Sequence, residues 1–111
     1  MTDSDIKFLA EMNRGFLQVL VLVVLETEMY GYMILRFLEE SEYIVEESTL
    51  YPLLRRLEKY GLVKSRWQVE GDRPKKYYQI TQNGKSFREK LIEKWQQQNE
   101  ILTKIMKFKE I

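Results

Sequence analysis

The chain contains neither cysteine nor histidine, and only two prolines occur among its 111 residues. Without cysteine, disulfides, thiol nucleophiles and cysteine-based metal sites are excluded. Without histidine, the commonest general base and the commonest metal ligand are absent. No nucleophile–base pair, phosphate-binding loop or supported carboxylate dyad can be recognised either. The sequence therefore predicts a protein that is not an enzyme and that holds no cofactor and no metal.

Long apolar runs are also missing, because the longest one covers only Val19 to Leu25. A membrane-spanning helix needs roughly 20 apolar residues. The first residues include Asp3 and Asp5 instead of the basic and apolar segments of a secretory signal. We therefore expect a cytoplasmic protein with no membrane segment. A chain of this length usually forms one compact domain with a modest core.

Charge is balanced overall but is unevenly distributed along the chain. The net charge is +1, yet residues 1–50 hold 3 basic and 10 acidic side chains, whereas residues 51–90 hold 11 basic and 4 acidic ones. A strongly basic segment in a near-neutral chain indicates a surface for an anionic partner. The alternative is that these surface cations simply pair with the acidic first half.

The first half of the chain predicts two helices. Apolar residues recur at steps of three and four over residues 6–27, so we expect a helix there, capped by Ser4 or Asp5. Its later part is apolar on nearly every side, which suggests that one face packs in the core and another against a partner subunit. A second helix is expected over residues 30–40, and residues 44–45 are expected to form a bridge of strand.

The middle of the chain predicts a third helix and a β-hairpin. Leucines at 50, 53, 54 and 57 form a core stripe on a helix that we expect Ser48 or Thr49 to cap, with Pro52 in or near the first turn and Gly61 as its left-handed stop. Strands are expected over residues 62–69 and 75–81, around a turn at 70–74. A last helix is expected over residues 83–108, and Thr81 to Gly84 are expected to cap it.

The exposed side of the third helix carries hydroxyl groups and two arginines, Arg55 and Arg56. A guanidinium group fits guanine O6 and N7 bidentately, and it fits phosphate equally well. Taken alone, this helix is better explained as an ordinary amphipathic helix with solvated arginines. The following hairpin adds Arg73, Lys75 and Lys76 at its tip, where they suit a phosphate backbone. The order of helix, glycine stop and basic hairpin favours a winged helix-turn-helix that binds DNA.

Four segments together resemble the PadR family of bacterial transcriptional regulators. They are Tyr30–Tyr32, Ser48–Leu54 (with the core TLYPLL), Arg56–Val63 and Arg73–Gly84, and the resemblance covers about residues 8–95. The family implies a winged helix-turn-helix homodimer, usually a repressor, that binds an inverted-repeat DNA operator. The expected fold class is mainly α with a two-stranded β-wing and a long C-terminal dimerisation helix. We expect residues 1–82 to form the DNA-binding domain, with its first helix shared with the dimer interface, and residues 83–111 to form the dimerisation helix.

The resemblance also assigns residues to sites. The predicted DNA-binding residues are Ser48, Thr49, Tyr51, Arg55, Arg56, Arg73, Lys75, Lys76 and Tyr77. The predicted dimer interface follows the apolar heptad seam of the last helix, at Leu91, Ile92, Trp95, Asn99, Leu102 and Met106. In some compact members of the family, a tryptophan at the position of Trp95 stacks on planar aromatic drugs, so Trp95 and Phe16 are candidate effector-binding residues. The alternative for Trp95 is a plain aromatic residue in the dimer core.

The sequence therefore predicts a dimeric DNA-binding regulator, most simply a repressor released by a small-molecule effector. Its partners would be a pseudo-palindromic double-stranded DNA, a second copy of itself and a small aromatic ligand. One alternative is a module that binds or sequesters planar aromatic molecules and has only weak affinity for DNA. Another is a winged helix that binds only proteins, which predicts no steep salt dependence of binding to any DNA.

Overall fold

The computed structural model describes all 111 residues, which form four helices and three strands. In chain order these are α1 (Asp3–Val24), β1 (Met29–Tyr30), α2 (Gly31–Glu40), α3 (Glu47–Lys59), β2 (Val63–Glu70), β3 (Arg73–Ile80) and α4 (Gln82–Phe108). The predicted fold class is confirmed, because a β-wing follows the third helix and a long helix ends the chain. No helix is both long enough and apolar enough to cross a membrane.

The hairpin of β2 and β3 is longer and tighter than the sequence predicts. Glu70 pairs with Arg73, so only Gly71 and Asp72 form the turn. Gly71 has a φ of +63°, a conformation that two-residue hairpin turns require. The predicted turn over residues 70–74 is therefore too long at both ends, because Glu70 belongs to β2 and Arg73 and Pro74 belong to β3. Pro74 is tolerated there because β1 does not extend to that end of β3.

The sheet has three antiparallel strands in the order β1-β3-β2, not two strands as predicted. Met29 pairs with Tyr78, and Tyr30 pairs with Tyr77. Two residues are too few to show the alternation that identifies a strand in a sequence. The strand bridge expected at residues 44–45 does not form, because these residues lie in the short loop between α2 and α3.

The N-terminal ends of α1 and α3 also differ from prediction. Thr2, and not Ser4 or Asp5, caps α1: its hydroxyl accepts from the Asp5 N–H (3.1 Å), while its own N–H donates to the Asp5 carboxylate (3.0 Å). This reciprocal pair is a capping box. The helix consequently begins three residues earlier than expected, and it ends at Val24 instead of residue 27.

The third helix starts before its predicted caps. Its N-cap is Glu46, which makes no side-chain capping bond, so Ser48 and Thr49 lie inside the first turn. Pro52 falls one turn further in, where its missing N–H leaves the Ser48 carbonyl without a helical donor. The C-terminal end agrees with prediction, because Gly61 has a φ of +75°. The cap of α4 is also confirmed, since the Thr81 hydroxyl accepts from the Gly84 N–H at 3.0 Å.

One apolar core holds these elements together. It lies between the C-terminal half of α1, α2, α3 and the inner face of the sheet, and the predicted leucine stripe of α3 is buried in it. Its members are Leu17, Val21, Leu22, Leu25, Ile34, Leu38, Leu50, Leu53, Leu54, Leu57, Val63, Tyr78 and Ile80.

The chain is elongated because the helix ends project from this core. The radius of gyration is 16.5 Å, whereas a compact domain of this length has about 13 Å. Only 15 of the 111 residues are buried, and all of these lie between Leu17 and Gly84. The first part of α1 and the last part of α4 therefore carry side chains that this single chain does not cover.

Candidate nucleic-acid interface

The four buried leucines of α3 fix which of its faces is turned outward. With 100° per residue, Ser48 and Arg55 lie on the side opposite the leucine stripe, and both are exposed. Thr49 and Arg56 flank this line on one side and are also exposed. Tyr51 flanks it on the other side and is half-buried. The predicted residues of α3 thus share one broad solvent-facing surface.

Tyr51 is held in place by the close approach of α2. A Cβ atom at Gly31 would overlap the Tyr51 ring, so only glycine fits at the start of α2. Burial, followed by the nearby Glu47 carboxylate, raises the pKa of the Tyr51 hydroxyl. The hydroxyl therefore stays protonated and remains a hydrogen-bond donor at neutral pH.

A cleft of about 470 Å³ lies where the start of α2, the outward side of α3 and the wing meet. It brings together four of the predicted DNA-binding residues: Tyr51, Arg55, Lys75 and Lys76. Five further lining residues were not predicted as DNA-binding residues, and they are Tyr30, Gly31, Tyr32, Trp67 and Tyr78. The Tyr-Gly-Tyr segment and the apolar positions of the wing were recognised, but nothing local indicated that they face one cleft. Its cations and phenol groups suit an anionic ligand.

The two wing lysines occupy opposite sides of β3. The Lys76 ammonium lies 3.2 Å from the Glu58 carboxylate of α3 and 5.4 Å from the centre of the Tyr78 ring. Glu58 also accepts a hydrogen bond from the Ser65 hydroxyl. That hydrogen bond, followed by the Lys76 ammonium, lowers the pKa of Glu58 against the opposing effect of burial. Lys76 therefore ties the wing to α3.

Lys75 connects the wing to β1, through Tyr30. Its ammonium lies 3.6 Å from the Glu70 carboxylate, 3.4 Å from the Tyr30 hydroxyl and 4.4 Å from the centre of the Tyr30 ring. Tyr77, the last of the predicted DNA-binding residues, donates its hydroxyl hydrogen to Glu70 at 2.7 Å. This hydrogen bond is the main cause of the raised pKa of Tyr77.

A bidentate ion pair supports the outer face of the sheet. The Arg66 Nε lies 2.8 Å from Glu28 Oε2, and the Arg66 Nη2 lies 2.5 Å from Glu28 Oε1. The Arg66 guanidinium also lies 5.0 Å from the centre of the Tyr77 ring. The hydrogen bond from Arg66 lowers the pKa of Glu28. Because Glu28 lies just before β1 and Arg66 lies on β2, this pair bridges the two outer strands.

The arginines differ from the wing lysines. Arg55, Arg56 and Arg73 are exposed, and none of them forms an ion pair. Three unpaired guanidinium groups on α3 and the wing give this surface its available positive charge. Guanidinium is also the side-chain group best suited to bidentate contact with phosphate or guanine.

A second concave surface lies away from the wing, between α1 and α4. The rings of Phe16 and Trp95, the two candidate effector-binding residues, approach to 5.8 Å between centroids with 30° between their planes. They line an open groove of about 570 Å³ together with Met12, Leu91 and Leu102. Trp95 remains 45% exposed, so part of its side chain is accessible from the solvent.

The predicted dimer-interface residues follow the same side of α4. Leu91 and Ile92 are half-buried, whereas Trp95, Asn99, Leu102 and Met106 are exposed. Other exposed apolar side chains lie on both helices toward their ends. They are Ile6, Phe8, Leu9 and Met12 of α1 and Ile101, Ile105 and Phe108 of α4.

Comparison with known proteins gives consistent matches. A family model described as the transcriptional regulator PadR-like family matches residues 19–90. The crystal structure of a PadR family transcriptional regulator from Eggerthella lenta superposes with a TM-score of 0.88 at 35% identity, over 94% of this chain and 93% of that one. A protein from Lysinibacillus sphaericus is 30% identical over 102 residues, covering 87% of this chain and 94% of its own length.

A further similar structure includes DNA. Bacillus subtilis PadR in complex with operator DNA superposes with a TM-score of 0.64 at 27% identity. The match covers 68% of this chain but only 46% of that longer one. The likeness therefore applies to part of the Bacillus protein.

Proposed function

The chain belongs to the PadR-like family of transcriptional regulators, and from that premise we propose that it represses transcription by binding an operator as a homodimer in the cytoplasm. The observation that carries the proposal is the set of exposed, unpaired guanidinium groups at Arg55, Arg56 and Arg73. They lie on a helix with a fixed outward face and on the adjoining wing. The operator-bound Bacillus structure supports duplex DNA as the partner.

In this proposal, α3 enters the major groove and the wing follows the phosphate backbone. Arg55 contacts guanine in this proposal, and its position opposite the buried stripe of α3 supports that role. Ser48, Thr49, Tyr51 and Arg56 add contacts around it, and Arg73 contacts phosphate from the wing. Residues 1–82 act as the DNA-binding unit. Lys75, Lys76 and Tyr77 hold that unit in shape and meet the backbone at its edge.

Dimerisation is the second part of the proposal. The exposed apolar side chains of α1 and α4 are a surface that a second copy can cover. Residues 83–111 then serve as the dimerisation helix, with the seam from Leu91 to Met106 at its centre. A two-fold dimer presents two α3 helices to half-sites about 34 Å apart, which corresponds to an inverted-repeat operator.

The groove at Trp95 supports control by a small molecule. A planar aromatic ligand stacked on the indole, near Phe16, would lie between α1 and α4. Ligand binding there would change the angle between the two DNA-binding units and lower operator affinity. The same groove favours the alternative function, a module that binds aromatic molecules and has only weak DNA affinity.

A DNA-binding titration tests the proposal. The duplex carries an inverted repeat found upstream of the gene for this chain, and the control duplex carries the same bases in scrambled order. We expect binding of two protomers per duplex, about a thousandfold or more tighter than to the scrambled control. Arg55→Ala should reduce discrimination against a changed guanine by about 1–3 kcal/mol. Equal affinity for both duplexes, with tight quenching of Trp95 by aromatic ligands, would instead support the alternative.

A further inference from the structure

Each wing lysine faces a carboxylate of its own chain. Lys75 lies 3.6 Å from Glu70, which belongs to the opposite strand of the hairpin. Lys76 lies 3.2 Å from Glu58, which belongs to α3. Both lysines are also close to aromatic rings, Lys75 to Tyr30 and Lys76 to Tyr78. The two ammonium groups are therefore only partly available to an external anion.

Among the cations predicted to bind DNA, only the two wing lysines are paired in this way. Arg73 stands two residues before Lys75 on the same strand, yet it forms no ion pair. Two carboxylates on a surface that binds a polyanion are unfavourable for affinity, because they repel phosphate and occupy cations that phosphate needs. Their placement 3–4 Å from the two lysines requires an explanation other than affinity for DNA.

We propose that Glu58 and Glu70 are specificity-determining residues, which hold the wing lysines in internal ion pairs and so weaken binding to DNA of the wrong sequence. The inference rests on the proposed function. On random DNA the wing docks loosely, and a phosphate at variable distance does not displace a carboxylate already in contact. On the operator, the base contacts of α3 hold the wing at a fixed distance from the phosphate backbone. Each lysine then leaves its carboxylate and contacts a phosphate.

Counterion release makes this proposal measurable. Each cation that neutralises a DNA phosphate steepens the dependence of log Kobs on log salt by about 0.9. A lysine that keeps its internal carboxylate on random DNA contributes nothing to that slope. Removing the carboxylate charge should therefore steepen the slope on random DNA and strengthen binding to it. The affinity for the operator and its salt slope should change less, because both lysines already contact phosphate in that complex.

Glu70→Gln is the most selective variant for this test. Glutamine has nearly the same shape, and its amide oxygen still accepts the Tyr77 hydroxyl bond that Glu70 accepts at 2.7 Å. On a scrambled duplex we expect the slope to steepen by about 0.9 for each freed lysine, with affinity about fivefold higher per lysine at 0.15 M salt. Glu58→Gln should act similarly through Lys76, because glutamine can still accept the Ser65 hydroxyl bond.

Glu40→Gln is the matched control, since it adds the same charge at the far end of α2. The ten residues of α2 place it about 15 Å along the axis from the end that meets the wing. A second control combines Glu70→Gln with Lys75→Met, and here the steeper slope should disappear. If Glu70→Gln and Glu40→Gln have the same slope on scrambled DNA while the wild type prefers the inverted repeat, the inference is wrong and the proposed function stands. If the wild type binds no duplex, both the inference and the proposed function are wrong.

Discussion

The packed centre of the chain and its two helical ends use similar apolar residues in opposite ways. Every buried residue lies between Leu17 and Gly84, whereas residues 1–15 and 93–111 are exposed throughout. Both regions carry helical stripes of leucine, isoleucine and methionine. In the centre, three helices and a sheet cover those stripes, whereas at the ends the stripes stay exposed in the single chain. The centre can therefore specify its own fold, while the ends, in the proposed dimer, are covered by a second copy.

This difference separates the two parts of the proposed function. The residues assigned to DNA are attached to the packed centre, where four leucines orient α3 and two lysines connect the wing to its neighbours. The residues assigned to dimerisation and to the effector lie on the uncovered ends. Changes in the centre should affect folding at any protein concentration, and changes at the ends should act through association.

The largest effect is expected from a cavity in the centre. Leu54 is fully buried in α3, and Leu54→Ala should lower the free energy of unfolding by about 2–5 kcal/mol. Urea unfolding followed by circular dichroism measures this change. The loss should be the same at low and high protein concentration. A loss that disappears at high concentration would show that association, and not the core of one chain, determines the fold.

At the ends, a buried charge should break association without unfolding the centre. Leu102 is 56% exposed in the single chain, and Leu102→Glu places a carboxylate at the proposed interface. We expect weaker dimerisation by about 2 kcal/mol or more, because the charge loses its water without gaining a partner. Sedimentation velocity measures the monomer fraction. Gln97→Glu is the control, since helical spacing puts the exposed Gln97 on the side of α4 opposite the seam, and it should remain dimeric.

Two helical glycines give opposite predictions in the two regions. At Gly84 an added Cβ would overlap the Leu62 carbonyl oxygen, which is fixed by the Thr81 N–H at 3.1 Å. Gly84→Ala should therefore cost about 1–3 kcal/mol of stability. Gly15 has no atom near an added Cβ, so Gly15→Ala should stabilise α1 by about 0.5–1 kcal/mol. Thermal unfolding of the two variants measures both effects. Stabilisation by Gly84→Ala would contradict the close contact between Gly84 and the Leu62 carbonyl.

The smallest effect concerns pH and the outer ion pair of the sheet. The pKa of Glu28 is lowered by Arg66, so the contribution of this pair is present above the ordinary glutamate pKa and is lost as pH falls through the lowered value. Wild type should thus exceed Glu28→Gln in free energy of unfolding at a pH above the ordinary glutamate pKa, and the difference should shrink and vanish as the solution is acidified below it. Urea unfolding across this range measures it. A difference that grows on acidification would contradict the assignment.

The sequence predicts best what is encoded within a few neighbouring residues. The stripe of α3, the stop at Gly61 and the cap at Thr81 all depend on spacing within one or two turns, and all are confirmed. The start of α3 was missed because Ser48 and Thr49 are good caps by type, yet the chain begins the helix at Glu47.

Contacts between distant segments were beyond sequence reasoning. The two-residue strand β1 exists only because β3 passes beside it, 47 residues later at the Tyr30–Tyr77 pair. The internal pairing of Lys75 and Lys76 likewise depends on tertiary contacts with Glu70 and Glu58. The sequence predicts the same DNA-binding role for Lys75, Lys76 and Arg73. The structure separates them, because only the arginine is free of carboxylate partners.

In the proposed dimer, the exposed ends of α1 and α4 hold two DNA-binding units at one fixed spacing. Lengthening the spacer of the inverted repeat by about half a turn, roughly five base pairs, turns one half-site to the opposite side of the duplex. Affinity measured by fluorescence anisotropy should then fall to that of a duplex with one half-site, whereas base changes in a spacer of unchanged length should have little effect. Unchanged affinity for the lengthened operator would contradict the account.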